Sequence, residues 1–245
     1  NINSNGEVIF DAPNHPDKGW EYINGHLTLT EGLFEITNNS ANFGATATTN
    51  VSGGTIRTGG AFRAVDSHVF EPAGGDVEIT GTLPDGAIYC YNDNYFYNLV
   101  INREPGNLCM LSGGGAVTVK NDLTILSGTL NTGNSTMFVG GNWTNNVGPD
   151  GFVENENEVW FYGETYSHIQ TDETFYDLYI FDMLTDGNAA KGNRFVEETY
   201  IEDGVSVNVL NDCRFLGGSL NMGNNSVLDV DNNFIFNGGQ CIVPN

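Results

Sequence analysis

The sequence predicts an all-β chain wound as a right-handed parallel β-helix, a β-solenoid of about ten coils, and three observations carry that prediction. The first is a loose internal repeat. Residues 96–101 (Phe-Tyr-Asn-Leu-Val-Ile) return at 175–180 (Phe-Tyr-Asp-Leu-Tyr-Ile), an offset of 79, and residues 126–134 return at 216–224, an offset of 90. Residues 54–59 match 128–133 at an offset of 74. Repetition at uneven spacing marks a solenoid whose coils accept insertions at their turns. The second is alternation of apolar residues with a period of two, which defines half-buried strands. The third is the clustering of Gly, Asn and Asp between those strands, residues that turn the chain at low steric cost.

Taken in order, each strand has its inward pair: Leu27 and Leu29, Phe34 and Ile36, Val77 and Ile79, Leu99 and Ile101, Val117 and Val119, Leu123 and Ile125. The series continues with Val159 and Phe161, Leu178 and Ile180, Val205 with Val207 and Val209, and Phe234 with Phe236. Turns fall at the glycine pairs 53–54, 140–141, 217–218 and 238–239 and at the triplet 113–115. Two architectures use many short strands with regular turns: a parallel solenoid, and a jelly-roll-like sandwich. The repeated block favours the solenoid, because equivalent residues of successive coils stack about 4.8 Å apart and gather like side chains into ladders. One domain is expected over 1–245, with the first 75 residues less regular. The difference between the offsets of 79 and 90 places an insertion between Phe181 and Leu216, with residues 183–194 its best location, and residues 12–17 read as a loop.

Composition excludes several function classes. Eight Lys and Arg stand against 31 Asp and Glu, a formal charge of −23, and the cations are scattered along the chain. Nucleic acid, which demands clustered cations, is not an expected partner. No apolar run is long enough to insert in a membrane as a helix. An excess of carboxylates suits an exposed, extracellular setting.

The segments 96–102, 122–134 and 139–146 (Val-Gly-Gly-Asn-Trp-Thr-Asn-Asn) resemble the repetitive parallel β-helix surface proteins of Bacteroidetes-type and related bacteria. The resemblance covers residues 75–240 and is one of repeat style rather than of activity. It implies an exported, adhesin-like or cell-envelope component acting through repetition and rigidity.

Candidate sites are sparse. Cys90 and Cys109 lie 19 residues apart and Cys213 and Cys241 lie 28 apart, each about one coil, so disulfides between neighbouring coils are expected; the bland alternative is four free thiols. Asp229, Asp231 and Asn233 offer alternating oxygen ligands of the kind calcium accepts, against the alternative of a solvated acidic turn. Trp20, Trp143 and Trp160, with Tyr89, Tyr91, Tyr95 and Tyr97, are either sugar platforms or core; the tyrosines share parity with Leu99, which favours an inward-facing run. The adjacent Asp pairs and Gly-His-Gly segment expected of a β-helical pectinase are absent, and His15, His26, His68 and His168 are isolated, so no enzyme is expected. Both ends read as strand, and Val8, Phe10, Phe234, Phe236 and Ile242 are the expected assembly surfaces of a rod that continues in a longer chain or stacks head to tail. The alternative to such a structural, adhesive module is a β-helix that binds or degrades surface glycans.

Overall fold

A computed structural model describes residues 6–11, 20–37, 39–81, 85–112, 115–162, 166–181 and 198–244; for residues 7–11, 20 and 85 it describes the backbone alone. The strands are short, and every pairing between the described strands is parallel. That rules out a sandwich of antiparallel hairpins, and the chain is a β-solenoid of about nine turns. The described helical structure is a single 3₁₀ turn, Pro149–Gly151.

Four ladders run along the stack. Ladder one contains eleven successive passes of the chain, from Glu7–Asp11 through Leu33–Thr37, Asn98–Asn102 and Trp143–Asn145 to Gln240–Ile242. Ladder two flanks the first part of the stack, from Trp20–Ile23 to Phe152–Val153. Ladder three starts at Val117–Val119 and ends at Asn233–Phe236, and ladder four, beginning at Glu173–Phe175, serves the later coils. The register of ladder one advances by 20 residues from Leu123 to Trp143 and by 26 from Trp143 to Ile169. One coil is longer, 32 residues from Ile169 to Ile201, and the expected insertion at 183–194 falls within it but lies outside the described residues, as does the loop expected at 12–17.

The core is one continuous column of buried apolar side chains. In ladder one Phe34, Ile56, Val77, Leu99, Leu123 and Trp143 stack in register. In ladder three Val119, Val139, Phe161, Ile180 and Phe215 do the same. Phe43, Phe62, Phe70 and Phe96 fill the early coils, with ring centroids 4.9 to 6.2 Å apart. Burying each such side chain is worth roughly 1.5–3 kcal/mol, which offsets the ordering of so many turns.

The sequence repeats occupy different ladders. Asn98–Asn102 lies in ladder one, whereas its match Asp177–Ile180 lies in ladder three; Thr129–Asn131 lies in ladder two and its match Ser219–Met222 in ladder one. What repeats is a corner rather than a whole coil. At one corner the Asn98 Oδ1 accepts from the backbone N–H of Asp122 (3.1 Å) and from the Asn121 amide (2.8 Å). At the other the Asp177 Oδ1 accepts from Asp212 N–H (2.8 Å) and from the Asn211 amide (2.9 Å). The same Phe-Tyr-Asx-Leu segment therefore clamps the next coil at two different vertices of the cross-section.

Another corner depends on glycine. Gly32, Gly54 and Gly75 stack in successive coils with φ of +83°, +74° and +83°. A Cβ on Gly54 would lie 2.7 Å from the Gly32 carbonyl oxygen, and that carbonyl already accepts the Thr55 N–H at 2.9 Å, so it cannot withdraw. Gly54→Ala is expected to cost about 2–4 kcal/mol, the left-handed penalty plus the clash. Gly106→Ala is the control: φ is +85° but nothing lies within 4 Å of the added carbon, and the cost should be about 1–2 kcal/mol. Urea denaturation of both variants checks this; equal costs would remove the coil-to-coil clash from the explanation.

Candidate functional site

Among the described residues, aromatic and charged side chains concentrate on the outward face of ladder three. Thr118, Phe138, Trp160, Tyr179, Arg214 and Ile235 are register partners in six successive coils. Trp160 and Tyr179 stack at 4.1 Å with their planes 7° apart, Phe138 leans on Trp160 at 5.8 Å, and the Arg214 guanidinium sits 5.4 Å from the Tyr179 centroid. Glu158 accepts from the Trp160 indole N–H (3.0 Å) and the Tyr179 hydroxyl (3.3 Å), while Asp212 holds Arg214 at 2.9 Å. Burial, followed by the Glu158 charge, pushes the Tyr179 phenol up to about 12.

This arrangement decides what the aromatics can do. A ring that binds a sugar must present its face, and here each flat face meets the next coil: Trp160 against Tyr179, Tyr179 against Arg214. The column is a seam that stitches coils together. Ladder one carries a second seam on its outer face, where Arg57 bridges Glu78 (2.7 Å) and Glu35 (3.6 Å) across three coils and Asn102 extends it to Glu78. Beside it the Asn98 amide donates to Asp76. His168 bonds Glu202 at 2.5 Å and stacks on Tyr200 at 4.8 Å; His26 bonds Thr48 and Thr28, and His68 bonds Glu71.

The expected disulfides do not form: all four cysteines are free. Register explains it for the first pair. Cys109 pairs with Gly86, so Cys90 lies four positions too far along its strand, about 13 Å away at 3.3 Å per residue and well beyond disulfide reach. Cys213 aligns with Phe234 in ladder three, whereas Cys241 aligns with Leu220 in ladder one. Burial pushes the Cys109 and Cys213 thiols up to about 12, and Cys90 is raised for the same reason. Asp229 pairs in register with Asn208 and the Asn233 amide donates to Asp212, and among the described residues no three His, Cys, Asp or Glu group as cation ligands.

Of the expected aromatic platforms, Trp143 is fully buried and Trp160 belongs to the seam; the side chain of Trp20 lies outside the described residues, as does His15. The tyrosine run does not face inward. Ile88, Cys90 and Phe96 take the interior positions, and the change to the odd inward parity of Leu99 and Ile101 falls at Tyr97 and Asn98, two successive half-buried residues, so parity with Leu99 does not carry back to the tyrosines. Tyr91 and Tyr95 line a surface hollow of about 590 Å³ instead. Of the expected assembly residues, Val8 and Phe10 lie in a strand whose backbone pairs with Leu33–Thr37, their side chains being outside the described set. Phe234, Phe236 and Ile242 are 48%, 47% and 49% exposed, since their strands are covered from one side.

Sequence reasoning missed a buried polar knot. Glu173, 2% exposed, accepts from the Trp143 indole N–H (2.7 Å), the Asn145 amide (3.0 Å) and its neighbour Thr174 N–H (3.0 Å). It sits where ladder two gives way to ladder four, against Phe152 and Phe175 packed on Trp143. Desolvation outweighs these three donors and pushes the carboxyl up to about 7. The one sequence signal for it was a charge in the otherwise apolar inward parity of the strand ending at Phe175.

Fold and face together define a β-solenoid with coil-to-coil seams. Comparison with protein-family models, with curated proteins and with solved structures finds no match. Among the described residues no helix is long and apolar enough to cross a membrane.

Proposed function

We propose that this chain is a non-catalytic structural module, a rigid β-solenoid rod of a cell surface or secreted filament, whose surface side chains hold coil to coil. The observation that carries this reading is that the outward aromatics and charges engage partners one coil away: Trp160 with Tyr179, Arg57 with Glu35 and Glu78, Asn211 with Asp177. Such seams stiffen a stack against bending and shear, because each coil is held through its surface as well as through its core. The covered faces of Trp160 and Tyr179 weigh against a glycan-degrading groove on that side.

In this reading the exposed Phe234, Phe236 and Ile242 receive a further β-coil, supplied by a second copy or by a longer chain of the same kind. An extracellular, adhesin-like role is the setting that the acidic surface and the repeat style favour. Negative-stain electron microscopy of the purified protein, with and without calcium chelator and reductant, tests it. Unbranched fibres of constant width that survive both treatments are expected; dispersed particles at every concentration would remove end-to-end assembly.

A further inference from the structure

We propose that the hollow at the foot of ladder three binds one or two sugar units of a neutral glycan, giving the rod a lateral adhesive site. The hollow exists for a topological reason. Ladder three begins at Val117–Val119, preceded among the described residues by an isolated bridge from Phe96 to Val119, and the segment 91–95 leading to that bridge turns through left-handed Asn92 and Asp93. The result is a recess of about 590 Å³ lined by Tyr91, Asp93, Tyr95, Gly115, Ala116 and Thr118. This falls in the range of sites that enclose small ligands.

Its chemistry differs from that of the seam. Among the described residues no ring stacks on Tyr91, whose Cβ and Cγ lie against Gly115, where any larger residue would press on the tyrosine. Tyr95 has the Lys120 ammonium 3.9 Å from its centroid. A half-buried tyrosine ring lining the hollow beside a carboxylate and a hydroxyl fits a pyranose, which has an apolar C–H face and hydroxyls at its rim. Asp93, whose carboxylate lies 3.7 Å from His68 Nε2, and Thr118 both line the hollow and supply the polar groups for those hydroxyls. A chain with net charge −23, whose Lys120 is occupied over Tyr95, disfavours an anionic sugar.

The wall is also rigid. Asn94 is buried, its amide within 3.1 Å of the carbonyls of Ala64, Asp66 and Tyr91, and its Oδ1 accepts from Val69 and Phe70 N–H at 3.0 and 2.8 Å. The turn that carries Tyr91, Asp93 and Tyr95 is thus fixed before any ligand arrives, which lowers the entropic cost of binding.

The test is saturation-transfer NMR of the full chain with maltotriose, cellotriose, mannotriose and chitotriose, followed by titration of those that respond. At least one should bind with an affinity of about 1 mM. Tyr91→Ala should weaken it at least tenfold and Asp93→Asn, which preserves the left-handed turn, at least fivefold. Tyr166→Ala, a 56% exposed tyrosine on ladder one, should leave it unchanged. Circular dichroism establishes that each variant is folded, and Asp93→Asn carries the test if Tyr91→Ala is not. No transfer to any of the four sugars, or equal weakening by Tyr166→Ala, overturns the proposal. Fibre formation is scored separately, so the rod reading stands or falls independently.

Discussion

Trp143→Ala is expected to be the most damaging single substitution in the stack, destabilising by about 4 kcal/mol or more. Trp143 is fully buried and makes edge contacts with Phe152 (4.8 Å between centroids) and Phe175 (5.1 Å). Truncating a core tryptophan costs about 3–5 kcal/mol through lost transfer energy and the cavity left behind. Here the loss is compounded, because the indole N–H is one of three donors that satisfy Glu173, and a buried carboxyl that loses a donor bears its desolvation alone. In a solenoid each coil contacts only its neighbours, so the damage should stay local. Native-state hydrogen exchange should show lost protection in strands Leu123–Ser127, Trp143–Asn145 and Tyr166–Ile169, with strands Leu33–Thr37 and Gly74–Ile79 unchanged. Uniform loss along the chain would mean that the stack unfolds as one unit.

The second large effect is pH dependence from Glu173. Its folded pKa, about 7, lies above the ordinary value of 4.5 that it regains on unfolding. The native state therefore holds the proton more tightly, so the contribution is fully present below about pH 4.5 and is lost as the pH rises through about 7. At about 1.4 kcal/mol per unit this amounts to about 3 kcal/mol. Glu173→Gln should remove this component. The glutamine oxygen still accepts from Trp143 and Asn145, while its amide faces the Thr174 N–H and forfeits that bond, at about 1 kcal/mol. The variant should be less stable than the parent at pH 4.5 and more stable at pH 8. Urea curves of both proteins at the two pH values measure the crossing, and the comparison cancels the titration of the surface carboxylates. Parallel pH profiles would show that the carboxyl ionises in the fold without penalty.

The sequence by itself determined the class of architecture. Period-two pairs such as Leu99 and Ile101, or Val159 and Phe161, face inward because strand geometry alternates faces whatever the partner strand is. Glycine corners were legible for the same local reason, since Gly54 must turn with positive φ, whereas the clamping of the next coil by Asn98 and Asp177 emerged only from the wound chain. Register was decided only in three dimensions. It depends on the total length of each coil, 20 residues in one and 32 in another, and no local pattern encodes that sum. Hence the repeats fell on different ladders, Cys90 and Cys109 missed one another by four residues, Cys213 and Cys241 fell on different ladders, and the tyrosines at 91 and 95 left the core because the inward parity changes between Phe96 and Leu99. Phe138, Trp160 and Tyr179, separated by 22 and 19 residues, become one seam for the same reason: stacking compares residues a coil apart, and only the wound chain defines the coil.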